Sequence, residues 1–144
     1  MLLLKPVYFY NLGYLITYLI IRCKVYLGEY QRKIKEEFSI IDIKANHYVF
    51  IDGKQIIGIV RIMYENGIAD LARVTVIKEY RNQGYGMELM KRVINEVRNS
   101  RKAEIIRLSI SDKAMLNFYQ QFGFKENEEV YFHNIPSISM IKTL

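Results

Sequence analysis

The chain has 144 residues, enough for one packed core, and 51% of them are hydrophobic, too many for a disordered polymer. A formal net charge of +6 directs attention to anionic partners, nucleic acid among them. Cys23 is the only cysteine and the two histidines stand far apart, which excludes an intrachain disulfide, a thiolate cluster and a paired-histidine metal motif.

The apolar start, Leu2-Leu3-Leu4 and then residues 7–21, is interrupted by Lys5, Pro6, Asn11, Gly13 and Thr17 and ends at Arg22-Cys23-Lys24. It is too short and too broken for a membrane span and has no small-residue cleavage site, so no membrane role and a cytoplasmic location are expected. Residues 2–9 read as a first strand. Leu15, Ile16, Leu19, Cys23, Tyr26, Leu27 and Tyr30 follow helical spacing, which predicts a core helix over residues 12–30 with Asn11 as N-cap and Cys23 as a core thiol. Residues 36–45 connect, with a short helix at their start. Residues 48–51 and 55–63 form a hairpin around Asp52-Gly53, and Glu65-Asn66-Gly67 turns into a β-branched strand over residues 71–77.

Arg81-Asn82-Gln83-Gly84-Tyr85-Gly86 follows that strand, and after it Leu89, Met90, Val93, Ile94 and Val97 recur at helical spacing. A strand, a glycine turn and a helix start aim backbone N–H groups at an anion, and Gly84 and Gly86 let a phosphate approach closely. A P-loop needs Lys-Ser or Lys-Thr where Met87-Glu88 stand, and the dinucleotide fingerprint needs a small third residue where Leu89 stands. Lys78, Arg81, Lys91, Arg92, Arg98, Arg101, Lys102 and Arg107 cluster around the loop and helix, either as a field that attracts a phosphorylated ligand or as a solvated face. Residues 104–110 then read as a strand, a helix capped by Ser111 or Asp112 stops at Gly123, and two strands follow.

The loop resembles the acyl-CoA-binding motif of the GNAT acetyltransferase superfamily, and residues 114–124, ending Tyr119-Gln120-Gln121-Phe122-Gly123-Phe124, resemble its second signature. Residues 21–29, the arginine-bearing segments Gly58-Ile59-Val60-Arg61-Ile62 and Ala72-Arg73-Val74, and the tail through Ile135-Pro136-Ser137-Ile138-Ser139-Met140 are similar to the ElaA-like branch. Two positions depart from that branch, whose tail histidine is Ser137 here and whose glutamine after Glu29 is Tyr30. The resemblance implies a mixed α/β fold with a central, mostly antiparallel sheet of six to seven strands and about four helices, in one domain over residues 1–144. It implies an acetyl-CoA-dependent N-acetyltransferase that acts on a primary amine by direct attack in a ternary complex. Acetyl-CoA would be held by Val74, Val76, Arg81, Asn82, Gln83, Gly84, Tyr85, Gly86, Met87 and Ser111. Tyr119 would be the general acid, a homodimer is a common assembly, and neither a metal nor a nucleic-acid partner is implied.

Two matters stay open in the sequence. Arg22, Arg61 and Arg73 interrupt apolar segments, where arginine is rarely buried unless paired or facing a ligand. Either they line an acceptor pocket for an amine with an anionic group, or they form ion pairs with Asp42, Glu29 or Asp70. The general base is also open among Glu29, Asp70, Glu129 and His47. A silent CoA-binding module of the same fold and a basic nucleic-acid-associated protein are the competing functions.

Overall fold

The computed structural model describes residues 1–132 and 134–144; His133, inside the tail segment, lies outside them. Its strands are β1 (Leu2–Pro6), β2 (Asn46–Asp52), β3 (Gln55–Glu65), β4 (Ile68–Val76), β5 (Ile105–Ile110), β6 (Lys125–Phe132) and β7 (Ile135–Thr143). Its helices are α1 (Leu12–Arg22), α2 (Ile34–Glu37), α3 (Ile41–Lys44), α4 (Tyr85–Ser100) and α5 (Leu116–Gln120). The strands form one seven-stranded sheet in the order β1-β2-β3-β4-β5-β7-β6. Neighbours are antiparallel except β4 and β5, which are parallel because α4 makes the crossover between them. The α/β fold expected from the sequence, with six to seven strands, is the fold observed.

The turns follow their residues. Asn66 and Gly67 take φ of 49° and 75°, the pair of positive angles that a two-residue turn needs between right-twisted strands. Two β-bulges then decide which way the sheet faces. In β3, Phe50 opposes Gly58 and Ile51 opposes Ile56, so Ile57 is an extra residue. In β4, Ile59 opposes Thr75 and Arg61 opposes Ala72, so Val60 alone stands against Arg73 and Val74. An extra residue reverses the period-two alternation. Ala69 and Leu71 before the second bulge therefore share a core with Val74 and Val76 after it.

That core packs under α4, whose Leu89, Met90, Val93, Ile94 and Val97 are all buried. A second core on the opposite face joins Tyr18, Ile21, Val25 and Tyr26 to Val49, Ile51 and Ile59. Asn11 caps α1 as expected, its Oδ1 accepting from the Tyr14 amide at 3.2 Å. The buried stripe is not the expected one, since Ile16 and Leu19 are exposed and Cys23 is half-buried. Two causes combine: α1 is apolar on nearly every face, and it continues as a π-helical segment, Cys23–Glu29, whose extra residue per turn shifts the phase. The first strand also ends earlier, at Pro6. Among the described residues no helix is long and apolar enough to cross a membrane.

Two details carry tests. A Cβ on Gly58 would lie 2.5 Å from the Thr75 carbonyl oxygen, so β3 and β4 approach there only because residue 58 has no side chain. Gly58→Ala is expected to cost roughly 1–3 kcal/mol, read as a fall in Tm of several degrees. His47 bridges α1 and the connecting segment: its Nδ1 accepts from the Tyr18 hydroxyl at 2.8 Å and its Nε2 donates to the Asp42 carbonyl at 2.8 Å. Both bonds suit the neutral ring, and burial pushes its pKa below the ordinary histidine value. The stabilising contribution is therefore complete above about pH 6.5 and is lost as pH falls through the folded value. Tm should drop as pH is lowered from 7 toward 5, and His47→Gln should flatten that slope while leaving alkaline behaviour unchanged.

Candidate active site

β4 and β5 stay together only briefly. Ile68, Ala69 and Asp70 pair with Ile105, Ile106 and Arg107, and beyond them the strands part. Neither Arg73 nor Val74 has a register partner in β3 or β5, so these two residues are unpaired on both sides, and Thr75 and Val76 rejoin β3 beyond them. A cavity of about 460 Å³ opens in the split, with Arg73 and Val74 of β4 on one wall, Leu108 and Ser109 of β5 on the other, and Tyr119 and Ser139 also facing it.

Tyr119 reaches this cavity from the end of α5. It is buried and packed edge-on against Phe118 and Phe124, with ring centroids 5.1 and 5.9 Å away. Burial, reinforced by Tyr26 and Tyr30 nearby, pushes its phenol well above the usual tyrosine range, so it is protonated at neutral pH. Ser111 is exposed on the cavity rim. Asp112 rather than Ser111 caps the helical turn, its carboxylate accepting from the Ala114 amide at 2.9 Å.

The glycine loop leads from β4 into α4. Asn82 and Gly84 take φ of 59° and 83°, which turn the chain so that α4 begins at Tyr85. Among the described residues the amides of Asn82, Gln83, Gly84, Tyr85 and Gly86 have no protein acceptor, while those of Met87 and Glu88 donate back to Gly84. Five free amides at the start of a 16-residue helix place partial positive charge there. The side chains around it face elsewhere. Arg81 donates from Nε to the Val76 carbonyl at 2.8 Å and from Nη1 to Glu29 at 2.7 Å, so it ties the loop to the π-helical segment. Gln83 bonds the Glu79 carbonyl and Tyr85 bonds Asp52.

The three arginines meet two carboxylates of the connecting segment. Arg22, 1% exposed, donates to Glu37 Oε1 at 2.5 Å and to both Asp42 oxygens at 2.9 and 3.0 Å. Arg61 donates to Asp42 at 2.8 Å, and Arg73 to Glu37 at 2.8 Å with its guanidinium 5.0 Å from the Tyr26 ring centre. These contacts hold Asp42 down at about 2, against the cost of burial. Arg61 and Arg73 lie on the cavity wall, whereas Arg22, which the sequence placed with them, is buried behind it with its charge taken. Of the ion-pair partners named from sequence, only Asp42 serves; Glu29 holds Arg81 and Asp70 holds Arg107 at 2.5 and 2.8 Å. Glu37, wholly buried, was missed. Its signal lay in the demand: three arginines on apolar segments need more than one carboxylate, and the nearest unassigned acids are in residues 36–42.

The four base candidates are scattered. Asp70 alone lines the cavity, and it is engaged by Arg107. Glu29 is occupied by Arg81, His47 by Tyr18 and the Asp42 carbonyl, and Glu129 is exposed on β6.

Comparison with known proteins places this geometry. Residues 26–144 match the family model for the acetyltransferase (GNAT) domain. The uncharacterised N-acetyltransferase YjcF of Bacillus subtilis is 27% identical over 124 residues, covering 85% of this chain and 87% of that protein. The crystal structure of Escherichia coli ElaA superposes with a TM-score of 0.83 at 22% identity, covering 99% of each chain. A GNAT family acetyltransferase from Elizabethkingia anophelis, solved with acetyl-CoA bound, gives 0.71 at 17% identity over 99% of this chain and 98% of that one. The chain belongs to the GNAT acetyltransferase family and is an N-acetyltransferase.

Proposed function

We propose that the protein transfers an acetyl group from acetyl-CoA to a primary amine by direct attack, with both substrates bound together. The observation that carries the reading is the continuity of two features along one strand: free amides at residues 82–86 and, upstream, the split that exposes Val74 beside Tyr119. An extended ligand with a pyrophosphate at one end and a thioester at the other matches that sequence of groups. The pyrophosphate sits on the amides of residues 82–86, where Gly84 supplies the left-handed turn and the helix start supplies the field, while the Met87 amide is taken by the Gly84 carbonyl. Arg81 acts there mainly as a latch on Glu29 and the Val76 carbonyl, and Ser111 marks the rim at the thioester end.

Acetyl-CoA contributes an activated acyl group whose carbonyl gains negative charge as the amine attacks. The Val74 amide, lacking a ladder partner and facing the cavity, is the donor aimed at that charge; Val76, which retains its register with Gly58, is the lesser one. Tyr119 holds the proton that the departing sulfur requires. Its raised pKa does not disqualify it, because the same dry environment raises the proton affinity of a thiolate. The amine must be neutral to attack. Arg61 and Arg73 help, since nearby cations lower the pKa of an ammonium group while attracting an acceptor's carboxylate. The acceptor is therefore an amine that carries an anionic group.

Acetyl-CoA at a hundred times its Kd should stabilise the fold by about 2.7 kcal/mol, a shift of several degrees in thermal denaturation. Tyr119→Phe should keep that shift and lower kcat by about 10²–10⁴-fold in a free-thiol release assay. Unchanged turnover would remove Tyr119 from the chemistry, and no shift with any CoA species would remove the co-substrate. Arg61→Ala should lower kcat/KM roughly tenfold or more for amines bearing a carboxylate and leave neutral amines nearly unaffected. Equal losses for both groups would argue against the cationic wall as a specificity element.

A further inference from the structure

Arg73 is the one non-glycine residue of the described strands with a positive φ, 58°; the others with such angles lie in turns, in loops or at a helix end. A long side chain in this conformation persists only when its surroundings over-determine it. Here Arg73 Nε donates to Glu37 Oε1 at 2.8 Å, its Nη2 approaches the Glu37 carbonyl at 3.4 Å, and Tyr26 lies under the guanidinium. Glu37 is fixed in turn by Arg22, which donates to the same Oε1 at 2.5 Å and also reaches the Glu37 carbonyl. One buried carboxylate oxygen thus receives two guanidinium N–H groups, one from α1 and one from the bulge of β4. Glu37 itself stands on α2, a single helical turn of the connecting segment, and is wholly buried.

We propose that Glu37 is a positioning residue for catalysis: by holding the Arg73 side chain it holds the bulge, and by holding the bulge it sets the direction of the Val74 amide at the split. The inference rests on the reading of that amide as the oxyanion donor. Residues 73 and 74 are adjacent, and neither has a register partner in β3 or β5. Val74 therefore has no paired residue opposite it to fix its peptide plane if residue 73 relaxes. With its anchor weakened, Arg73 can leave the left-handed region, and the next peptide plane turns with it. The cradle at residues 82–86 is several residues downstream and is tied separately through Arg81, so CoA binding is insulated from this change.

The test is Glu37→Gln, which keeps the side chain's shape and removes the charge shared by the two arginines. Below its Tm, the variant should lose at least tenfold in kcat while its Kd for acetyl-CoA and its KM for a neutral amine stay within about twofold. In ¹H–¹⁵N spectra, acetyl-CoA should shift the Val74 amide resonance in the wild type and much less in the variant. Where Glu37→Gln fails to fold, Arg73→Gly serves: it relieves the backbone strain and removes the tether, so the Val74 response to acetyl-CoA should be lost, a readout that the field Arg73 supplies to the acceptor does not move. In the double variant, the kcat losses should not multiply, because both changes cut one connection. A Glu37→Gln protein with lowered Tm but undiminished kcat and an unchanged Val74 response would overturn the proposal and leave Glu37 a structural ion-pair partner. Wild-type protein showing no acetyl-CoA effect on any amide would instead overturn the underlying reading, and the proposal with it.

Discussion

β4 must do two incompatible things, and the site is the result. Its first half completes a sheet with β5 and needs regular pairing; its second half runs on without β5 and borders the cavity through Arg73 and Val74. The bulge at Arg73–Val74 resolves this within two residues. It interrupts the pairing with β3 for two residues, just beyond the point where β4 has parted from β5, and reverses alternation so that Val74 and Val76 still pack their side chains against the α4 core. A strand that merely frayed would expose those valines and lose their packing. The bulge keeps the hydrophobic account intact while releasing the main chain, and cavity, cradle and helix all take their positions from it.

The bulge is costly, and the connecting segment supplies what keeps it in place. Arg22, Arg61 and Arg73 carry three positive charges against the two negative charges of Glu37 and Asp42. In a buried setting such a cluster is poor as a source of net stability, because desolvation consumes most of the Coulomb attraction. Its geometry is what it offers. Each carboxylate touches two arginines from different elements, so α1, β3, β4 and the segment over residues 34–44 are fixed relative to one another. The surplus positive charge remains at the two arginines on the cavity wall. A neutral, purely apolar packing could hold the same elements together but would leave the acceptor side without a field.

Much of this was legible in the sequence because it depends on local chemistry. Asn66-Gly67 demanded its turn, Gly84 its left-handed start to α4, and the spacing of Leu89, Met90, Val93, Ile94 and Val97 its buried face. What failed was phase. Along α1 nearly every residue is apolar, so periodicity carried no contrast, and a π-helical turn cannot be seen in a pattern that assumes 3.6 residues per turn. The same holds for β4, where the bulge is invisible to an alternation test because apolar residues of opposite parity, Leu71 and Val74, stand on either side of Arg73. The arginines were conspicuous for the right reason, as cations among apolar neighbours, yet their partners lie 15 to 36 residues away and only folding pairs them.

Arg81 shows how a motif residue and a motif function can separate. Its place at the head of the glycine loop suggests a phosphate clamp, since a guanidinium matches a phosphate in shape and charge. The fold instead commits Nε to the Val76 carbonyl and Nη1 to Glu29. The Val76 bond fixes the last residue of β4, and the Glu29 bond fixes the end of the π-helical segment, so one side chain closes the loop's geometry from both sides. Five successive amides without protein acceptors at a helix start carry partial positive charges that repel one another. Holding such a loop in one conformation calls for rigid tethers, and Arg81 is one, through Val76 and Glu29. In the proposed reading the main chain is what meets the anion, and the motif's charged side chain serves by tying the loop to β4 and to Glu29.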